Sequence, residues 1–251
     1  MSEGSPNALA FNNPRVQRLR RLLGRRSSRT EEGAFVVEGA GLVRQAVEAG
    51  WVVEAQFLAP GGSPVPCDSP VYTLAEGLID RVASTDTPQP LLAIVETRVA
   101  VVPAGATLVV VADRLGDPGN AGTIIRSAEA AGADAVVLTP GSVDPYNSKV
   151  VRASAGSLFR VPVVTAALDA VDVRRLGTSS PWCDDYTTVD LTAPVALVIG
   201  NEASGLPDDA TVDGWVSIPA AVESLNAAMA ATVLLFEAAR QRRAIRRPDA
   251  S

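Results

Sequence analysis

The chain contains no histidine. That absence removes Ser-His-Asp and Cys-His catalysis, histidine-ligated zinc and imidazole acid-base chemistry. Its two cysteines, Cys67 and Cys183, are too few for a disulfide framework or a four-thiolate zinc site, so no metal is expected. The longest nearly uninterrupted apolar run, Ala227 to Phe236, falls well short of the roughly 18 residues of a membrane-spanning helix. No apolar secretory core follows the N-terminus, and a cytoplasmic protein without membrane contact is the expectation. The dinucleotide fingerprint is missing too, because the only GxG, Gly39 to Gly41, has Arg44 where a third glycine belongs. What remains, 251 residues of which 47% are hydrophobic and 20% charged, describes a folded chain of one or two domains.

A net charge of −6 argues against a nucleic-acid partner until it is divided along the chain. Seven arginines lie between Arg15 and Arg29 and five between Arg240 and Arg247, whereas residues 30–239 carry 26 acidic against 10 basic side chains, a net of −16. Basic clusters at the ends of an acidic body are a common way to hold polyphosphate. A solvated helix or a transit peptide is the alternative for residues 15–29.

The pattern divides the chain into a basic arm (1–30), a small α/β unit (31–100), a linker near Arg98 to Gly105 and a larger α/β unit (106–251). In the first unit FVVEG, WVVEAQFLA, VYTL and LLAIV read as strands, with helices at Ala40 to Ala49 and near Ala75 to Ala83. In the second, strands are expected at Thr107 to Asp113, Ala135 to Leu138, Val195 to Gly200 and Trp215 to Ile218, with helices at Ala121 to Ala131 and at the C-terminus. Near-continuous Val/Ile/Leu strands indicate a parallel sheet buried on both faces. Leu225, Ala228, Met229, Thr232, Phe236 and Ala239 predict one packed face on the last helix.

Ligands of open parallel sheets bind beyond the carboxyl ends of the strands, which singles out three loops. In DRLGDPGNAGTIIRSAEAAG (Asp113 to Gly132), Asn120 reads as an N-cap whose helix end favours an anion, with Arg126 pointing toward it. An ordinary capped helix with a surface arginine is the bland alternative. LVIGNEASGLPDD offers a backbone-lined turn at Gly200 and Gly205 with a carboxylate at Glu202, and a plain β-turn is the competing reading. In VSIPAAVESLNAAMAATVLLFEAAR, Ser224 is a plausible N-cap, which leaves Asn226 inside the first helical turn needing partners for its amide.

In this order the three segments resemble the motifs of the SpoU (TrmH-type) RNA 2'-O-ribose methyltransferases of the SPOUT superfamily. DPGNAGTIIR is similar to the first motif, VIGNEASGL to the second and IP-x5-SLN to the third, while VDPYNSKVVRASAGSLFRVPV resembles the segment between the first two. The resemblance covers about residues 106–243. Residues 30–100 are similar to the accessory substrate-binding domain, itself like ribosomal proteins that bind RNA turns. Within the family the likeness is to the thiostrepton-resistance type.

The resemblance implies an α/β fold in which a parallel-sheet methyltransferase domain with a C-terminal trefoil knot follows a small ribosomal-protein-like RNA-binding domain. It implies a homodimer that uses S-adenosylmethionine to methylate RNA, ribosomal RNA first and transfer RNA second. Carried over by position, Thr139, Ile199, Gly200, Glu202, Ile218, Leu225 and Asn226 would bind the cofactor. Asn120, Arg126, Glu202, Ser224 and Asn226 would surround the reacting ribose. Ala227 and Ala228 depart from the valine and serine common after SLN. Arg126 carries a guanidinium, which stays protonated near neutrality and so makes a poor base, and is expected to clamp a phosphate and stabilise the alkoxide while the proton leaves to phosphate, water or Glu202. RNA is expected to be recognised by the N-terminal unit and the Arg15 to Arg29 arm, outside the cofactor pocket. A non-catalytic RNA-binding protein of the same fold, or a small-molecule enzyme using the Asn120 helix end, are the other classes.

Overall fold

The computed structural model describes residues 8–179, 183–207, 209–222 and 224–246. The chain forms two compact units, one of residues 1–98 with 146–159 and one of residues 99–145 with 160–251. The segment 146–159, inside the residues 106–251 read as one domain from the sequence, thus clusters with the first unit.

The first unit opens with α1 (Pro14–Gly24) and α2 (Arg26–Glu32), followed by β1 (Ala34–Glu38), α3 (Ala40–Glu48), β2 (Val53–Leu58), β3 (Val71–Thr73), α4 (Leu78–Val82) and β4 (Leu91–Glu96). The strands form one sheet in the order β1-β4-β2-β3, antiparallel except for the β2–β3 pair. All five residues of β1 are buried because both faces of the sheet are covered. On one face Val36, Phe57 and Ile94 pack with Val16, Leu19 and Leu22 of α1 and with Leu78, Ile79 and Val82 of α4. On the other, Phe35 meets Trp51 and Tyr146, and the Trp51 indole donates to the Phe159 carbonyl at 2.9 Å. This explains why residues 146–159 leave the second unit: their aromatic side chains complete the first unit's core.

Residues 14–32 are therefore not a detachable arm. Pro14 starts α1 after an Asn13 cap, whose side chain accepts from the Arg15 amide, and every third or fourth residue, Val16, Leu19 and Leu22, is fully buried. The arginines masked that apolar stripe in the sequence. Residues 1–7 and Arg247 lie outside the described residues.

The second unit carries β5 (Leu108–Ala112), α5 (Pro118–Ala131), β6 (Ala135–Leu138), β7 (Val163–Thr165), β8 (Arg174–Ser179), β9 (Asp184–Asp185), β10 (Val195–Ile199), β11 (Gly214–Ser217) and α7 (Ala227–Arg246). Between β6 and β7 the chain visits the first unit, where α6 (Ser148–Ala153) packs on β1. Seven parallel strands line up as β7-β6-β5-β10-β8-β11-β9. β5, β6 and β10 are buried throughout, as their Val/Ile/Leu runs predict. The strand RRLGTS (β8) escaped the sequence reading because its two arginines and glycine break the apolar pattern, yet it lies between β10 and β11. Gly177 is required there: a Cβ would meet the Trp215 ring at 2.8 Å.

The packed face of α7 differs from the expected one. Ala228 and Ala239 are buried with Ala231, Leu234, Leu235 and Ala238, but Leu225, Met229 and Phe236 are exposed. Small residues let α7 approach α5 closely, and Ser127 of α5 bonds Thr232 of α7 at 2.7 Å. Near the C-terminus Arg242 donates to the carbonyls of Leu191, Thr107 and Ala193, tying the helix to the starts of β5 and β10, and Arg240 pairs with Glu237. Arg242 of the C-terminal basic cluster thus serves the fold.

Leu19→Ala is expected to destabilise the first unit by about 3 kcal/mol, read as a lower denaturant midpoint. Deleting residues 1–24 is expected to unfold that unit, seen as lost protection of β1 amides in hydrogen exchange, and not merely to trim an RNA contact.

Candidate active site

Three loops at the carboxyl ends of β5, β10 and β11 converge. The β5 loop enters α5 through Asp117, which caps the helix by accepting from the Asn120 amide at 2.7 Å, with Pro118 fixing the first helical residue. Asn120 therefore stands inside the first turn and is not the N-cap the sequence suggested, which frees both ends of its side chain. Its Nδ2 donates to Glu202 at 3.0 Å and its Oδ1 accepts from Asn226 Nδ2 at 3.0 Å. One amide thus links the second and third loops.

Asn226 is the true cap of α7: its Oδ1 accepts from the amides of Ala228 and Met229 at 2.9 and 3.2 Å. This corrects the assignment of the cap to Ser224 and gives partners to both the oxygen and the nitrogen of the Asn226 amide. Ser224 lies two residues earlier, exposed, and its hydroxyl has no hydrogen bond among the described residues.

The β10 loop is a tight turn. Asn201 and Gly205 exchange backbone hydrogen bonds at 2.8 and 3.2 Å, and Asn201 Oδ1 accepts from the Ala203 and Ser204 amides. Gly205 has φ +64°, and a Cβ on Gly200 would fall 2.3 Å from the Gly205 carbonyl carbon, so only glycine lets the turn fold back over the strand end. Asn201 Nδ2 reaches across to the Arg114 carbonyl at 2.7 Å. Glu202 completes the junction by accepting from the amides of Gly116 and Asp117 at 3.3 and 3.1 Å.

Desolvation pushes the Glu202 carboxyl up, but the hydrogen bonds from Asn120 and the backbone amides of Glu202, Asp117 and Gly116 outweigh it and hold the group below the usual glutamate range. Glu202 is therefore a weak proton acceptor near neutrality, and it acts as a charged tie between loops. This argues against the suggestion that Glu202 takes the substrate proton.

Beside the junction lies a cavity of about 630 Å³, within the range of small-molecule sites. Ile199, Gly200, Glu202, Ile218, Ser224 and Leu225 line it. Thr139 does not: it is buried, donating to Asp113 at 2.8 Å and accepting from the Arg114 amide at 2.9 Å, so it braces the β5 loop. Neither Arg126, exposed on α5 without a partner among the described residues, nor Asn120 and Asn226 are among the lining residues. Trp215, Leu206 and Thr178 line the cavity and were missed. Only the outward alternation of Trp215 in its strand hinted at this, and β8 gave no signal. Apolar walls with free backbone groups fit an adenosine moiety.

The residues 107–236 match the model of the SpoU rRNA Methylase family. The chain belongs to this family. Residues 13–93 match the MRM3-like substrate binding domain. The chain is 35% identical to a 23S rRNA uridine 2'-O-methyltransferase of Streptomyces viridochromogenes, over 92% of this chain and 91% of that one. It is 33% identical to the RlmP 23S rRNA guanosine 2'-O-methyltransferase of Bacillus subtilis, over 84% and 90% respectively. Among solved structures, the SpoU methyltransferase AviRb of Streptomyces viridochromogenes in complex with AdoMet superposes with a TM-score of 0.85 at 33% identity, covering 92% of this chain and 98% of that chain.

Because the folded-state Glu202 pKa is depressed, its contribution is present above the unfolded value and lost as pH falls through the folded one. S-adenosylmethionine affinity is expected to stay level through neutrality and to fall only once pH drops below the usual glutamate range, with Glu202→Gln weaker than wild type and flat across pH. Calorimetric titration across pH checks this.

Proposed function

We propose that this protein methylates a ribose 2'-hydroxyl of ribosomal RNA, taking the methyl group from S-adenosylmethionine. The observation that carries the reading is the Asn120–Glu202–Asn226 junction, which gathers the three loops beside a cavity suited to adenosine, in a chain of the SpoU family. The 23S rRNA activities named for both relatives support ribosomal over transfer RNA as substrate, and with it a cytoplasmic location. No helix among the described residues is long and apolar enough to cross a membrane.

Bound S-adenosylmethionine supplies a methyl group already activated on a sulfonium, so what the protein must provide is alignment, worth several kcal/mol when reacting atoms are held about 3 to 3.5 Å apart. Ile199, Ile218 and Leu225 give apolar walls for the adenosine, and Gly200 opens backbone groups to it. Asn120 has both amide ends committed, which makes it a positioning residue for Glu202 and Asn226. The Ser224 hydroxyl at the cavity wall is available to the cofactor or the ribose. The guanidinium of Arg126, without a partner among the described residues, suits bidentate grip of the phosphate beside the target ribose and stabilisation of the alkoxide. With Glu202 a weak base, the proton leaves to that phosphate or to water.

The reading includes a homodimer and a trefoil-knotted C-terminal passage. Supporting the first is the outward face of α7, where Met229 and Phe236, two turns apart, stand 57% and 45% exposed. Supporting the second is the tight fold of the Gly205–Leu206 backbone over Gly200 and the return of α7 onto β10.

Arg126→Lys is expected to lower turnover at saturating RNA about 10- to 100-fold while leaving S-adenosylmethionine affinity unchanged, in a tritiated methyl-transfer assay on ribosomal RNA. Turnover equal to wild type removes the clamp. Replacing Met229 and Phe236 together with glutamate is expected to convert a dimer to a monomer in sedimentation equilibrium. A wild type that sediments as a monomer overturns the dimer.

A further inference from the structure

Five of the seven arginines of residues 15–29 fall into two classes. Arg18 is committed to Glu32 and Glu54, each at 2.6 Å, and Arg21 to Glu32 at 3.4 Å. Arg29 is buried and donates to the carbonyls of Leu22 and Leu23. These hold α1 and α2 in the first unit. Arg15 and Arg20 differ: no carboxylate among the described residues pairs with either, and each guanidinium lies over an aromatic ring. Arg15 stacks on Tyr72 with Cζ 4.8 Å from the ring centre, and Arg20 on Phe11 at 4.4 Å. A third, Arg81 of α4, stacks on the same Phe11 ring at 4.4 Å, also without a carboxylate partner.

The fold builds this arrangement. Leu9 bridges Leu74, donating to the Thr73 carbonyl at 2.8 Å and accepting from the Ala75 amide at 3.0 Å, which lays the chain before α1 alongside β3. Phe11 thereby comes within reach of arginines from both α1 and α4. Tyr72 is backed from the core by Phe57, with ring centres 5.5 Å apart.

Two observations mark the patch as built for an anion. Arg20 and Arg81 share one ring with no ion-pair partner among the described residues, in a chain otherwise rich in carboxylates. Arg15 occupies the first turn of α1, where the helix dipole disfavours a cation and no acidic residue compensates. Stacking covers the guanidinium plane, restrains the side chain and leaves in-plane N–H groups to grip phosphate oxygens in pairs, although Arg20 Nη1 also donates to the Gln17 side chain at 3.3 Å. With the ring faces taken by guanidinium groups, the rings are not platforms for bases.

We infer that Arg15, Arg20 and Arg81, braced on Tyr72 and Phe11, form the face of the first unit that grips the sugar-phosphate backbone of the substrate RNA. This rests on the RNA methyltransferase reading and adds to it the surface, the residues and the type of contact, phosphate and not base.

The test uses the full-length protein with Arg15, Arg20 and Arg81 all changed to Gln, and a companion with all three changed to Lys. Binding to a 23S ribosomal RNA transcript is measured from about 50 to 300 mM salt, alongside thermal melting, S-adenosylmethionine titration and tritiated methyl transfer. The Gln variant is expected to melt and bind S-adenosylmethionine like wild type but to hold RNA about 10- to 100-fold more weakly at ~0.1 M salt. Its log–log salt slope is expected to be shallower by about two to three. The Lys variant is expected to keep the slope, since the charge remains, while losing affinity several-fold with the stacked geometry. Unchanged RNA affinity and slope in the Gln variant, with wild type binding and methylating RNA, overturns this face alone. Loss of binding to polyglutamate without loss of RNA binding reassigns the face to an acidic protein and overturns it as well. A wild type that neither binds nor methylates RNA overturns the methyltransferase reading and this inference with it.

Discussion

The Glu202 carboxylate is the point on which the second unit's ligand end depends. It gathers the amides of Gly116 and Asp117 and the Asn120 side chain, three donors from the β5 loop, while belonging to the β10 loop itself. A carboxylate is suited to this because it offers several acceptor sites at once and strengthens each bond by its charge. Asn120 extends the tie to Asn226, which in turn caps α7. The start of the longest helix and the two preceding loops are thereby fixed relative to one another before any ligand arrives. Such preorganisation is what alignment-driven chemistry needs, since the ordering of the site is then done by folding.

Both units spend arginines on the fold, and net charge hides this. In the first, charge on α1 is divided between ion pairs that close the helix onto its sheet and guanidinium groups stacked on aromatic rings without counter-charge. In the second, Arg242 caps carbonyl groups at the starts of strands and Arg240 is neutralised one turn away. The bipolar charge map read from the sequence is real, but Arg242 at the C-terminal pole serves the fold.

How much was legible followed physical rules. Strands whose neighbours cover both faces, such as VVVA in β5 and VALVI in β10, declare themselves by unbroken apolar runs, and the three loops stood out by glycines and carboxylates in tight spacing. What stayed hidden was decided by partners distant in sequence. β8 is strand because β10 and β11 flank it, against its own composition. The caps shifted by a few residues for a chemical reason: Asp117 before Pro118 outcompetes Asn120, and Asn226 lies where its oxygen reaches two free amides while Ser224 does not. The exposed Met229 and Phe236 were placed in the core because periodicity alone does not say which of two apolar faces on α7 is covered from within the chain. Thr139 sits at the correct strand end, yet its hydroxyl turns inward to Asp113.

The excursion of residues 146–159 has a consequence for how the chain can be divided. The polypeptide passes from one compact body to the other at residues 98–99, 145–146 and 159–160. Residues 1–98 produced alone would lack Tyr146 and the Phe159 carbonyl that finish the first unit's aromatic core. The two bodies are thus interlaced along the sequence, unlike beads on a string. Grafting this recognition module onto a different catalytic partner would require three splice points, and a proteolytic nick at one junction would still leave the fragments held by packing.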